Sequence, residues 1–268
     1  MPRLSINELT TYRWSFEEDV LSYAQAGVSS IGVWRQKLAD FGEEKGAELL
    51  ADSGLAVSNL LWAGGFTGSD GRTFQESLED AEEAVRLARE LQAGCLVVYS
   101  GTRNGHTHRH ARRLVRTALG ELVPMAELLQ VKLAVAPMHV ACADGWTFLT
   151  DIKETLDLVT EFDSPAVGLA FDTYHLGQDP RIVELLPELV SRIAIVHLGD
   201  AKAPPTREQN RCRLGEGTLP LGPIVQTLCD AGYEGFFDVL LMGEDIETHD
   251  YEVLLRHSQG AFHELIAS

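Results

Sequence analysis

Short, almost uninterrupted apolar runs alternate along this chain with longer stretches in which apolar residues recur every three or four positions. The short runs are LSINELT from Leu4, SSIGVW ending at Trp34, AVSNLLW ending at Trp62 and CLVVYSG ending at Gly101. Four more follow: VKLAVAP from Val131, AVGLAFD ending at Asp172, RIAIVHL ending at Leu198 and GFFDVLL from Gly235. Most lack the in-and-out alternation of a strand with one wet face, so they predict strands covered on both sides. SFEEDVLSYAQAG begins at Ser15, a natural helix cap, and closes at Gly27. Residues 73–91 place Leu78, Ala81, Ala84, Val85 and Leu87 on one helical face. Similar spacing predicts helices over 110–129, 150–161, 180–190, 221–231 and 251–266. Strand and helix alternate through eight units, which predicts an α/β protein whose parallel sheet closes into a (β/α)8 TIM barrel, one domain over residues 1–268. An open doubly wound sheet fits less well, since no GxGxxG follows the first strand.

Composition narrows the partners. Lys and Arg total 22 against 40 Asp and Glu, a formal charge of −18. Such a surface repels phosphate backbones and anionic bilayers, so neither nucleic acid nor membrane is expected as a partner. Cys95, Cys142, Cys212 and Cys229 form no CxxC pair, which argues against structural zinc and a disulfide framework. MPRLSINELT lacks a signal-peptide pattern, and no apolar run reaches the roughly 18 residues of a membrane span. A soluble, reduced, cytoplasmic protein is the expectation.

The longest irregular stretches, 64–72, 102–108, 140–146 and 201–218, all follow strands. In a parallel barrel they crowd the C-terminal mouth, where such folds build their sites. Two strands end there in metal-ligand residue types. The sixth delivers Asp172 with His175 beyond it, and the seventh delivers His197 and Asp200. The fifth and eighth carry Ala136 and Leu240 at comparable depth. His139 and Glu244 lie on mouth loops and would complete an acceptable ligand list with Asp172 and His197 if the side chains converged. Trp34 and Trp62 end the second and third strands, placed either to stack on a sugar or to plug the core. Lys202, Arg211 and Arg213 form a basic cluster in the sequence, suited to a carboxylate or phosphate or to ion pairs with Glu208 and Glu216.

Read together, LSINELTTYRWSFEEDV, GVWRQKL, APMHVACADGWTFLTD, FDTYHLGQDP, NRCRLGEGTLPL and GYEGFFDVLLMGEDIE resemble the xylose isomerase-like TIM barrels over essentially the whole chain. That group of sugar isomerases and epimerases includes hydroxypyruvate isomerase and ketose 3-epimerases. The resemblance implies one divalent cation (Mn²⁺, Mg²⁺ or Co²⁺) held by a Glu ending strand five, an Asp ending strand six, a His ending strand seven and a Glu ending strand eight. Asp172 and His197 match, whereas Ala136 and Leu240 stand where both glutamates are expected. In the epimerases those glutamates also move the proton next to the carbonyl, which alanine and leucine cannot do. A further family acid, six positions past the first Glu, falls at Cys142. His175 matches a residue that contacts substrate oxygens and is the candidate catalytic base, with Trp34, Trp62, His139, Lys202 and Arg211 as substrate-binding candidates.

Three readings stand side by side. One is a sugar isomerase- or epimerase-like barrel with a degenerate metal site, binding a small sugar or hydroxy-carbonyl compound and holding no cation or a weak one. Another is an active metal-dependent isomerase rebuilt around His139 or Glu244. The third is a non-catalytic sugar-binding or regulatory protein. A different lyase or isomerase reaction run without metal, with His175, His139 or Lys202 as the base, is a separate alternative. Family membership also implies a possible homo-oligomer.

Overall fold

The computed structural model describes residues 2–267. Its strands are β1 (Arg3–Asn7), β2 (Ser30–Trp34), β3 (Ala56–Gly64), β4 (Leu96–Tyr99), β5 (Leu133–Val135), β6 (Val167–Asp172), β7 (Ile193–Leu198) and β8 (Phe236–Val239). All pair in parallel with their sequence neighbours, and β8 closes on β1, so the barrel has no free edge. The helices are α1 (Phe16–Gln25), α2 (Arg35–Phe41), α3 (Glu43–Ser53), α4 (Phe74–Glu90), α5 (His108–Leu129), α6 (Ile152–Thr160), α7 (Thr173–Leu176), α8 (Ile182–Leu189), α9 (Leu221–Asp230), α10 (Glu244–Glu247) and α11 (Tyr251–Ala267). None of the described helices is long and apolar enough to cross a membrane.

Local chemistry sets these boundaries. Ser15 and Glu18, and likewise Thr73 and Glu76, form reciprocal capping boxes that satisfy amide donors at the starts of α1 and α4. The α4 face carrying Leu78, Ala81, Val85 and Ala88 is buried against the sheet, as its spacing predicts. Residues 35–53, for which the apolar spacing gave no helix, form α2 and α3, divided at Gly42 with φ +108°. Strand β5 is shorter than VKLAVAP: Val131 still closes the end of α5 through its N–H to Ala126 O, and Pro137 has no N–H to continue the ladder.

The barrel interior is divided in character. On one side Ser5, Asn7, Ser58, Asn59 and Asp238 are buried together, and on the other Val97, Ala134, Ala170 and Ile195 pack as an apolar layer. Gly32 makes room for the polar side, since a Cβ there would lie 2.4 Å from Asn7 Nδ2 and 2.6 Å from Asp238 Oδ2.

Candidate functional site

Strand register brings three titratable side chains into one row. Asp172 on β6 pairs with His197 on β7, and His197 pairs with Asp238 on β8. His197 therefore sits between two carboxylates, its Nδ1 4.0 Å from Asp172 Oδ2 and its Nε2 3.8 Å from Asp238 Oδ2. Asp238 Oδ2 accepts hydrogen bonds from Asn7 Nδ2 at 2.7 Å and Asn59 Nδ2 at 2.8 Å. Burial raises the Asp238 pKa, against the pull of His197 and the two amides. Burial likewise lowers the pKa of His197.

The opposite end of the row is closed by a cation from the chain itself. Arg211, in the segment between β7 and α9, turns inward until its side chain is only 2% exposed. Its Nη1 and Nη2 donate to Asp172 Oδ1 and Oδ2 at 3.2 and 2.9 Å, the forked geometry in which guanidinium and carboxylate bind best. Nη1 also donates to Leu240 O at 3.0 Å, and the backbone N–H of Arg211 donates to Met242 O at 2.8 Å. The guanidinium lies 4.7 Å over the Tyr174 ring. Gly199 provides the space, because a Cβ there would meet Arg211 Nη1 at 2.7 Å.

Burial acts to raise the Asp172 pKa, but Arg211, His175 and His197 outweigh it and bring the carboxyl down to about 2. His175 is also buried; burial first, with Arg211 adding, lowers its pKa to about 4 against the pull of Asp172. At neutral pH the cluster is therefore a carboxylate, a guanidinium and neutral imidazole at His175. His175 Nδ1 and His197 Nε2 have no hydrogen-bond partner among the described residues.

A cavity of about 300 Å³ opens at the mouth, lined by Leu9, Thr10, Tyr12, Trp34, Trp62, Trp146, Glu208, Met242, Gly243, Ile246, Glu247 and Tyr251. Trp34 and Trp62 run nearly parallel, with centroids 6.4 Å apart, and Trp146 meets Trp62 edge-on at 4.8 Å. Asp172, His175, His197 and Arg211 are not among the lining residues.

The match to known proteins fits this architecture. Residues 21–254 match the family model described as xylose isomerase-like TIM barrel. The chain belongs to that family. It is 29% identical over 167 residues to a mannonate dehydratase of Enterococcus faecalis, a match covering 58% of this chain and 43% of that protein, so it spans less than half of that relative's length. It is 27% identical over 225 residues to a D-psicose 3-epimerase of Enterocloster bolteae, covering 81% of this chain and 70% of the relative. The solved structure of protein SMc04130 from Sinorhizobium meliloti 1021 superposes with a TM-score of 0.90 at 26% identity, over 98% of both chains.

Within the xylose isomerase-like family, the resemblance implies a four-ligand cation site, and the residues present do not fit one. Ala136 and Leu240 are 5% and 3% exposed and pack into the apolar cluster with Leu61, Val97 and Ala170. Both Asp172 oxygens are engaged by Arg211. His139 Nδ1 accepts from Ala141 N at 3.3 Å, and Glu244 is exposed at the start of α10. No group of three or more His, Cys, Asp or Glu among the described residues is arranged to hold a metal ion.

The other candidates divide. Trp34 and Trp62 line the mouth cavity, whereas His139, Lys202 and Arg211 do not. The basic cluster expected after β7 does not assemble: Arg211 is internal, Arg213 pairs with Glu216, and Lys202 is exposed. Asp200 serves its own loop, with its carboxylate accepting from Gly215 N and Gly217 N, each at 3.0 Å, and from Ala201 N at 2.8 Å. Three residues went unassigned in the sequence. Asp238 had a signal, as the one charged residue inside the apolar run GFFDVLL, while Tyr12 and Trp146 lie on loops whose convergence no spacing encodes.

Proposed function

We propose that this chain is a xylose isomerase-like barrel whose metal centre has been replaced by an internal ion pair. In this reading it binds a small sugar or hydroxy-carbonyl compound at its mouth without a divalent cation. The observation that carries the reading is the forked Arg211–Asp172 pair beside Ala136 and Leu240. An arginine stays protonated at any working pH, so the positive charge that a cation would supply beside Asp172 is built in permanently. Enolisation next to a carbonyl needs an ionisable group within hydrogen-bond reach of the reacting carbon. Ala136 and Leu240 cannot supply it, so the two-glutamate proton relay of the epimerases is not this chain's chemistry.

His175 supports a second reading, in which the bound compound reacts without metal. Its imidazole is neutral at physiological pH, and Nδ1 lacks a hydrogen-bond partner among the described residues. An unprotonated, unpartnered nitrogen can accept a proton, with Arg211 Nη2 3.5 Å from Nε2 as the adjacent positive charge, once the compound reaches past the mouth lining to this buried ring. The two readings share the same binding step.

Ligand-observed NMR with a panel of ketoses and short hydroxy acids, in excess EDTA, tests that step. Saturation transfer to at least one compound, unchanged when Mn²⁺ replaces EDTA, is expected. Transfer seen only with Mn²⁺ would overturn the metal-free reading.

A further inference from the structure

We propose that the mouth cavity takes a small organic cation, a quaternary or N-methylated ammonium carrying a short hydroxylated tail. This goes beyond the sugar or hydroxy-carbonyl reading in its ligand class and rests only on the mouth being a small-molecule site. One wall is built from the side chains of Tyr12, Trp34, Trp62 and Trp146. Tyr12 stacks on Trp34 at 5.7 Å and 29°, Trp34 runs on to Trp62, and Trp146 closes the far end. A cation within about 6 Å of such ring centroids is attracted by the negative π faces, with tryptophan the best of the aromatics.

The rest of the cavity fits that charge. Glu208 and Glu247 stand exposed on its lining, and no lysine, arginine or histidine is among the lining residues. Arg13 sits 4.8 Å over the Tyr251 ring but does not line the cavity. The wider surface is strongly acidic at −18, which steers cations toward it. Trp34 and Trp62 pack on their buried side against the apolar cluster that contains Leu240 and Ala136, so no charge from those two positions adjoins them.

A free sugar would have to draw its hydrogen bonds from the rim carboxylates of Glu208 and Glu247 and from the N–H and O–H groups of the aromatic side chains. Each buried hydroxyl needs a partner, and the Thr10 hydroxyl is already satisfied, donating to Val239 O at 2.9 Å and accepting from Leu241 N at 3.0 Å. Leu9, Met242 and Ile246 add only apolar surface. Methyl groups around a fixed positive charge match rings, apolar side chains and rim carboxylates at once.

The test compares choline with its neutral carbon isostere 3,3-dimethylbutan-1-ol on the full-length protein in EDTA, read by tryptophan fluorescence and calorimetry. Choline is expected to bind about tenfold or more tightly than the isostere. The double variant Glu208→Gln, Glu247→Gln should weaken choline several-fold and reduce its salt dependence while leaving the isostere unchanged. Trp62→Leu should weaken choline more than the isostere, and because Glu208 and Glu247 are exposed the double variant keeps the test open if Trp62→Leu fails to fold. Equal affinity for the two probes would overturn the inference, leaving an apolar slot indifferent to charge. Binding of D-fructose without choline would overturn it while the small-molecule reading stands. Failure of every probe, sugars and hydroxy acids included, would overturn both.

Discussion

Arg211 grips both carboxylate oxygens of Asp172, at 3.2 and 2.9 Å, from a position 39 residues away in the chain. The pair is almost wholly buried, with side-chain exposures of 2% and 8%. A buried ion pair of this kind is strongly sensitive to the loss of one partner, because the other charge is left without compensation.

Arg211→Ala is therefore expected to destabilise the fold by about 3–5 kcal/mol in urea denaturation. Asp172→Asn combined with Arg211→Gln should cost clearly less than the sum of the single changes, since the double variant strands no charge. Additive losses would mean that the two residues act separately.

Restoring the family's carboxylates tests the assignment of the missing ligands. Ala136→Glu with Leu240→Glu should lower thermal stability without metal, because buried carboxylates lose hydration and repel one another. Adding Arg211→Gln frees Asp172, and this triple variant should gain a Mn²⁺-dependent rise in Tm that the wild type lacks. Equal melting with and without Mn²⁺ in the triple variant would refute the placement of the site at these positions.

Asp200 organises the loop that carries Arg211, through the amides of Ala201, Gly215 and Gly217. Asp200→Ala removes charge-assisted bonds worth about 1.5–3 kcal/mol each, net of the water bonds they replace. Faster amide exchange across residues 201–218 is the expected result, with the barrel strands still protected. A loop as protected as in the wild type would assign Asp200 another role.

Glu8 gives a pH signature independent of the site. Burial raises its pKa well above the ordinary value, Asp19 adds to the rise, and Oε2 accepts from Trp34 N at 2.6 Å. A folded-state pKa above the unfolded one stabilises fully below the unfolded value, about 4.3, and that contribution is lost as pH rises through the folded value. Glu8→Gln keeps an acceptor for Trp34 and cannot ionise. It should flatten the fall in stability above about pH 4, the unfolded value, and raise Tm at the alkaline end. Parallel profiles for variant and wild type would contradict this.

The sequence made the barrel legible because strands buried on both faces read as apolar runs, and because Ser15 and Thr73 carry recognisable capping partners. It hid α2 and α3, where GEEKGAELLADS offers few apolar positions and Gly42 breaks the period. At the site, strand ends alone put Asp172 beside His197. The partner that decides their chemistry was not legible, since Arg211 reaches Asp172 through a long irregular segment whose path depends on Gly199 and the Met242 carbonyl. Asp238 stands two residues before Leu240, where the resemblance calls for a ligand, and its place in the row with His197 comes from strand register, which no motif encodes.

The most direct test of the ion-pair centre is a calorimetric Mn²⁺ titration of metal-stripped protein, with Asp172→Ala as control. The built-in guanidinium predicts no saturable heat in the micromolar range for either protein. Micromolar binding at one site, abolished by Asp172→Ala, would mean that Arg211 yields Asp172 to a cation and that the centre is a working metal site.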